Sequence, residues 1–432
     1  AHHSVFRLQF AKNIRNGQLL RPFFSDFPLP RLIIPKLTRG NLYLCIRYLK
    51  SDLQMAGIYI HIPFCKTRCD YCAFYSTVSP GDIRKLYVRR LCGEIAERKD
   101  FFGFPEVSSV YLGGGTPSQL SFEDLSGIFN ALRRNFRILP DAEITMEVNP
   151  DDISGEYATA LHKLPVNRIS MGAQSFNDKL LRGINRRHSA AEAAKSYEML
   201  RKAGFGNISI DLIYALPGQT GALWEKELET AIALRPEHIS AYALSFEGGT
   251  PLYAKLQKGK IREADEELYI NMYAMLVEKL KGAGYEHYEI SNFALPGKRA
   301  RHNSSYWTGE KYLGLGAGAH SFNGISRRIN LPEIQKYIRS ADVPHETETL
   351  TTANKYDEMV MTRLRTCEGI NLEKAEQLFG TEATDYLVRS AKTYTDCGKM
   401  EIASTQSGKH LKLTESGVFV SDEIISDLMN PD

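Results

Sequence analysis

Six strand–loop–helix units follow one another between residues 57 and 250, and this alternation restricts the possible folds more than any other feature of the chain. Apolar, β-branched runs at 57–62, 107–112, 143–148, 168–173, 207–214 and 238–244 read as strands. Segments at 81–99, 120–136, 153–164, 190–203 and 222–234 read as helices, and a longer one follows at 263–280. Strands that alternate with helices over short connections form a parallel sheet with right-handed crossovers. Six units predict an α/β fold, an incomplete (βα)6 barrel rather than a closed eight-unit one. The strands read as mostly apolar, which suits a sheet covered on both faces.

The first strand runs into Cys65-Lys66-Thr67-Arg68-Cys69-Asp70-Tyr71-Cys72, a C-x-x-x-C-x-x-C loop. Parallel α/β folds place their chemistry at the C-terminal ends of strands, where this loop lies. Three thiolates within eight residues can reach one metal centre. Tetrahedral zinc needs a fourth ligand, usually from a second cysteine pair, and the chain has no such pair. Three cysteines suit a cubane iron–sulfur cluster, one iron of which is left without a protein ligand; structural zinc is the alternative. The other cysteines, Cys45, Cys92, Cys367 and Cys397, are scattered. An odd total of seven argues against a disulfide framework.

The cysteine loop resembles the signature of the radical S-adenosylmethionine (SAM) enzymes. Tyr59-Ile60-His61-Ile62-Pro63-Phe64-Cys65 resembles, more narrowly, their oxygen-independent coproporphyrinogen III oxidase-like group. The likeness continues through Gly113-Gly114-Gly115-Thr116-Pro117, Glu147-Val148-Asn149-Pro150, Ser170-Met171-Gly172-Ala173-Gln174-Ser175, Asn185-Arg186 and Asp211-Leu212-Ile213. It implies that Cys65, Cys69 and Cys72 hold a [4Fe–4S] cluster and that SAM chelates the open iron. It sets Gly114, Gly115 and Thr116 beside SAM, where a glycine loop allows close backbone approach. Glu147, Gln174, Arg186 and Asp211 become polar partners of SAM, the acids for ribose hydroxyls and the arginine for the carboxylate. Tyr59 and Tyr71 become ring walls. Read without the resemblance, Glu147 and Asp211 could equally cap the following helices or pair with lysine. Each tyrosine alone reads as core.

One departure decides between branches of the group. Its porphyrinogen oxidases carry a further cysteine two residues after the third, and here that position is Phe74. The sequence is thus more similar to the group's heme-chaperone relatives. His302-Asn303-Ser304-Ser305-Tyr306-Trp307 points the same way, because those relatives carry an H-N-x-x-Y-W motif associated with heme. Imidazole ligates heme iron, and Tyr and Trp can cover a porphyrin face, so His302 is the expected heme-binding residue. Read alone, it is a hydrogen-bonded histidine in a packed loop. The implied protein binds a [4Fe–4S] cluster, SAM and heme, lacks coproporphyrinogen oxidase activity, and has no assigned catalytic residue. Its implied partners are heme, an apo-hemoprotein acceptor that a respiratory membrane could supply, and a reductant for the cluster. The alternative is the oxidase itself, removing hydrogen from a propionate side chain with loss of CO₂. A radical SAM transferase and a zinc-stapled binding protein are the remaining readings.

Residues 1–54 lie outside the resemblance and hold nine Lys/Arg against two Asp, although the whole chain nets only +3. That small charge gives no case for nucleic acid. The segment reads as an upstream extension, with Met55 as a natural start and a cytoplasmic protein beyond it. The other reading is an Arg-rich, acid-poor mitochondrial transit peptide. Residues 55–285 form the expected radical SAM core, 286–345 a glycine-rich connecting segment bearing the His302 motif, and 346–432 a small helical, winged-helix-like domain.

Overall fold

Strand β1 (Ala56–Ile62) is buried along its whole length, and the sheet extends from it in both directions. The structure is a computed structural model and describes residues 56–103 and 106–429. The basic segment 1–54, with Cys45, falls outside the described residues. To one side of β1 come β2 (Val107–Gly114), β3 (Ile138–Val148), β4 (Arg168–Gln174), β5 (Ile208–Tyr214) and β6 (His238–Ala243), all parallel and in chain order. Helices Gly81–Glu97, Phe122–Asn135, Gly155–Leu161, Ala190–Lys202 and Gly221–Leu234 make the crossovers. Four of them start at a hydroxyl cap, where Ser121, Ser154, Ser189 or Thr220 accepts a first-turn amide. The expected six-unit α/β core is therefore present.

Along these strands the side chains alternate. Ile58, Ile60, Ile62, Val110, Leu112, Ile144, Met146, Ile169, Met171, Ile208 and Ile210 join the helices in one apolar core. The residues between them form the inner face and are mostly polar: Tyr59 and His61, Ser109 and Tyr111, Glu143 and Glu147, Ser170, Asp211 and His238. The strands are therefore apolar on the outer face alone, which corrects the sequence expectation. The inner polar groups are affordable because they bond to one another, as Ser170 Oγ does to Asp211 (2.9 Å) and Ser209 Oγ to His238 Nδ1 (2.8 Å).

The segment read as a connector instead enlarges the sheet. It supplies β7 (Glu286–Glu289), β8 (Asn292–Ala294), β9 (Tyr312–Leu315), β10 (His320–Phe322), β11 (Ser326–Asn330) and β12 (His345–Thr349). The full order is β12-β11-β10-β9-β1-β2-β3-β4-β5-β6-β8-β7. β9 lies parallel to β1, and β8 is antiparallel to β6, so the parallel strands are flanked on both sides rather than closed on each other. Gly314 is required in β9 because a Cβ there would collide with the His320 carbonyl.

After β12 the chain turns helical, at Thr352–Arg363, Leu372–Phe379 and Thr381–Asp396. A three-stranded antiparallel sheet of β13 (Ile370–Asn371), β14 (Met400–Thr405) and β15 (Gly408–Leu413) completes a winged-helix-like arrangement. The described residues belong to one compact unit. Among them, no helix is long and apolar enough to cross a membrane.

Candidate functional site

The cysteine loop begins where β1 ends, and backbone bonds fix its start. Thr77 N donates to Pro63 O (2.7 Å) and Cys65 N donates to Thr77 O (3.0 Å). Its second half is tied to the loops after β4 and β6. Asp70 N donates to Ile184 O (3.1 Å), Asn185 Nδ2 to Arg68 O (2.9 Å), and Asp70 pairs with Lys255 at 2.5 Å. Cys65, Cys69 and Cys72 are half-buried and free of disulfides. Thr116 Oγ1 donates to Cys65 Sγ at 3.5 Å, and Arg186 Nη1 to Cys69 Sγ at 3.4 Å. Burial raises the Cys65 thiol and pushes Cys72 up to about 11, which keeps protons on both in the absence of a cation. Metal coordination displaces such protons. Three thiols on one loop, with donors already aimed at two sulfurs, have the chemistry of a thiolate-held cluster, although among the described residues no three His, Cys, Asp or Glu side chains converge as on a single metal ion.

The glycine loop at the end of β2 lies beside the first cysteine. Gly114 has φ +110°, and a Cβ on Gly115 would stand 2.8 Å from the Ile62 carbonyl oxygen. No larger residue fits, because the His61 ring and the end of β1 pack directly against these two glycines. Glu147, at the end of β3, accepts from Tyr111 Oη (2.8 Å) and from Gly114 N (3.1 Å). Asp211, in β5, accepts from Ser170 Oγ (2.9 Å) and Ser209 Oγ (3.4 Å). Burial raises the pKa of both acids. Neither caps a helix, since Ser154 and Thr220 do that work, and neither pairs with a lysine among the described residues. Gln174 ends β4 at φ +66°, next to a register shift in the ladder. A non-glycine residue held there stores strain of about 1 kcal/mol, a common feature of ligand-facing positions.

Arg186 joins the cysteine loop to β3 and β4. Besides Cys69 Sγ, it donates to the Gly172 carbonyl (2.5 Å) and to Asn149 Oδ1. Its buried Nε finds no hydrogen-bond partner among the described residues, which leaves a donor for a ligand carboxylate. Tyr59 lies on the inner face of β1, 3.1 Å from His61 Nδ1 through its hydroxyl and stacked on Tyr111. Tyr71 stands in the cysteine loop but packs with Leu180, Ile184, Ile213 and Leu216 in a small satellite cluster. The structure therefore brings together the three cysteines, Gly114, Gly115, Thr116, Glu147, Gln174 and Arg186 at the C-terminal ends of the strands. Asp211 and Tyr59 lie on the inner face just beneath.

His302 is not part of that gathering. It lies in the helix Arg301–Thr308, at the opposite, N-terminal end of β2 and β3, and is 1% exposed. Glu143 accepts the backbone amides of Arg301 and His302, each at 2.9 Å, and so pins the start of the helix. The ring meets Ser109 Oγ through Nδ1 (2.9 Å) and Tyr306 Oη through Nε2 (3.0 Å), and it stacks on Tyr111. Burial and the Arg168 charge lower its pKa to about 3. As folded, both nitrogens are engaged and neither can take iron. In this fold the imidazole helps to close the floor of the barrel through those two hydrogen bonds.

Sequence reasoning gave no role to Tyr111, Ser170, Asn149 and Asp152, which hold the site in place, or to Glu143, which holds the floor helix. The two-residue alternation of polar side chains in β2 to β4 was the available signal for Tyr111, Glu143 and Ser170, and it was masked by the apolar residues between them; Asn149 and Asp152 lie in the turn after β3, outside that pattern.

Comparison with known proteins gives the same frame. Residues 59–231 match the model of the radical SAM superfamily, and residues 350–420 match that of the HemN C-terminal domain. The chain is 35% identical over 376 residues to a heme chaperone HemW of Lactococcus lactis, spanning 85% of this chain and 97% of that one. It is 30% identical over 385 residues to the mitochondrial radical S-adenosyl methionine domain-containing protein 1 of Danio rerio, spanning 86% and 85% of the two chains. The fold is that of the coproporphyrinogen III oxidase HemN of Escherichia coli, with a TM-score of 0.74, 24% identity, and coverage of 87% of this chain and 90% of that one. With that agreement over nearly the full length of its relatives, the chain belongs to the radical SAM superfamily and, within it, to the family of the heme chaperone HemW.

Proposed function

We propose that this protein binds heme and delivers it to an apo-hemoprotein, on a scaffold that also holds a [4Fe–4S] cluster and SAM. The observation that carries the reading is the 35% identity running over 97% of a heme chaperone's length. Phe74 supports it against the oxidase reading, since it stands where the group's oxidases carry a cysteine. Cys65, Cys69 and Cys72 would hold the cluster, supported by the donors on their sulfurs. Gly114, Gly115, Thr116, Glu147, Gln174, Arg186 and Asp211 would receive SAM, with the unpartnered Arg186 Nε as its carboxylate donor. When bound, the cluster supplies a one-electron redox centre and an iron open to SAM.

The protein's own work is to position and to exclude water. Glu147 fixes Gly114 through the amide and Tyr111 through the hydroxyl, so the glycine loop stays aligned with the inner face. Asp211 keeps its two serine donors and can exchange one for a ligand hydroxyl. His302 would meet heme iron only on giving up its bond to Ser109 or Tyr306, and heme titration of His302→Ala tests its part. The mitochondrial name of the zebrafish relative and the acid-poor residues 1–54 support a mitochondrial rather than a cytoplasmic site of action, which localisation of a tagged full chain tests. Anaerobic iron and sulfide analysis followed by heme titration tests the main reading. Saturable heme uptake by the loaded protein is expected, and its absence would overturn the proposal.

A further inference from the structure

The cysteine loop carries no helix and only bridge-level strand pairing, so a few backbone bonds and side-chain ties to its neighbours hold its thiols. One tie stands out by burial. Asp151 and Asp152 close the short turn Pro150–Asp152 after β3, and the Asp152 side chain is 2% exposed. Its Oδ1 pairs with Lys66 Nζ at 2.5 Å. Its Oδ2 accepts from Ser118 Oγ (2.7 Å) and Gln119 Nε2 (2.6 Å). Asp151 Oδ2 pairs with Arg187 at 2.5 Å, and Lys66 lies 3.9 Å from the same oxygen.

The partners come from three separate loops, and each stands close to a group that touches a thiol. Lys66 follows Cys65. Ser118 and Gln119 follow Thr116, which donates to Cys65 Sγ. Arg187 follows Arg186, which donates to Cys69 Sγ. Asn149, whose side chain accepts from Arg186, donates its own amide to Ser118 Oγ at 3.2 Å. Asp152 has no capping duty, because Ser154 caps the next helix. A carboxylate so deeply buried persists only when its charge is met, and here Lys66 and, at 3.9 Å, Arg187 face Oδ1 while Ser118 and Gln119 bond Oδ2; Oδ1 has no hydrogen-bond donor of its own among the described residues.

We propose that Asp152 is the positioning residue of the cluster site, acting through Lys66 to hold the Cys65 half of the loop against the glycine loop and the Arg186 turn. The proposal rests on the cluster reading above. A site whose ligands sit on a loop needs them fixed to about 0.5 Å by such supports. Lys66 is the better handle for the test, since its side chain is 44% exposed and Lys66→Arg keeps the charge that faces Asp152.

The full chain, its Lys66→Met and Lys66→Arg variants and Asp152→Asn are reconstituted anaerobically with iron and sulfide. Iron loss to a chelator is followed over time, and the melting temperature of each iron-free protein is measured alongside. Lys66→Met is expected to release iron about fivefold faster than the parent, the equivalent of roughly 1 kcal/mol. Lys66→Arg should retain iron like the parent and melt with it when iron-free; iron-free Lys66→Met should melt lower, because the buried Asp152 loses its nearest cation, so release is compared at a temperature well below every melting transition. Equal release by Lys66→Met and the parent overturns the proposal, whatever Asp152→Asn does. So does a Lys66→Arg variant as leaky as Lys66→Met. A parent chain that takes up no iron and sulfide overturns the cluster reading itself.

Discussion

His302 joins Ser109 to Tyr306 with its two ring nitrogens, and burial holds its pKa down to about 3. In the unfolded chain the same ring titrates near 6.5. Between those values the unfolded state binds the extra proton, so stability falls as the pH drops below about 6.5 and the loss is complete near pH 3. Each pH unit inside that window removes up to about 1.4 kcal/mol through this residue. His302→Gln removes the titrating group, and its melting temperature should decline less steeply than the parent's on acidification from pH 6.5. Parallel declines would show that the buried imidazole is not a source of the acid sensitivity. The thiols make a sharper residue-level case. Alanine at Cys65, Cys69 or Cys72 should abolish iron and sulfide retention, whereas Cys92→Ala and Cys397→Ala should keep it. The cysteine spacing made the first three legible in the sequence, because three soft ligands on one loop have few other uses. The position of His302 was not legible for the opposite reason: a motif shows that a histidine is present, but not which end of the barrel its helix faces.

The helix Arg301–Thr308 is the element on which that difference turns. It is eight residues long, lacks a side-chain N-cap of its own, and borrows Glu143 from β3 for its first amides. Glu143→Ala leaves two amides without that acceptor and should cost about 1–3 kcal/mol, read by denaturant unfolding. Glu143→Gln keeps one oxygen acceptor and should cost less; equal losses would argue that packing rather than hydrogen bonding anchors the helix. Long amphipathic elements such as Gly81–Glu97 and Ala190–Lys202 were readable within a few residues, because a helical period repeats several times in each. The stretch Tyr285–Ile290 could be read as the late strand β7, but strands β8 to β12 were not legible. They are three to five residues long, too short to show a period, and β9 finds its partner β1 far away in the chain. The inner face of the sheet was missed for a related reason. Alternating polar residues such as Ser109, Tyr111, Ser170 and Asp211 look like loop or surface chemistry until the strands curve together and they satisfy one another.

Across the whole molecule, the C-terminal helices are fastened to the barrel through the same floor. Arg365 pairs with the buried Glu289 at 3.1 Å and lies over the Trp307 ring, and Arg363 donates to the Thr308 carbonyl. Removing Arg365 leaves Glu289 without its cation, and Arg365→Ala should destabilise the fold by roughly 3 kcal/mol. A cooperative unfolding curve indistinguishable from the parent's would contradict that coupling. The floor helix thus links β2, β3 and the C-terminal helices, while the thiols and the glycine loop occupy the other end of the strands. The central claim is that this scaffold carries heme rather than converting its precursor. The direct test offers heme and coproporphyrinogen III side by side to the anaerobically reconstituted protein, with SAM, a reductant and an apo-hemoprotein present. Heme should be bound and passed on while coproporphyrinogen III stays intact; consumption of coproporphyrinogen III with release of CO₂, and no heme retained, would contradict the account.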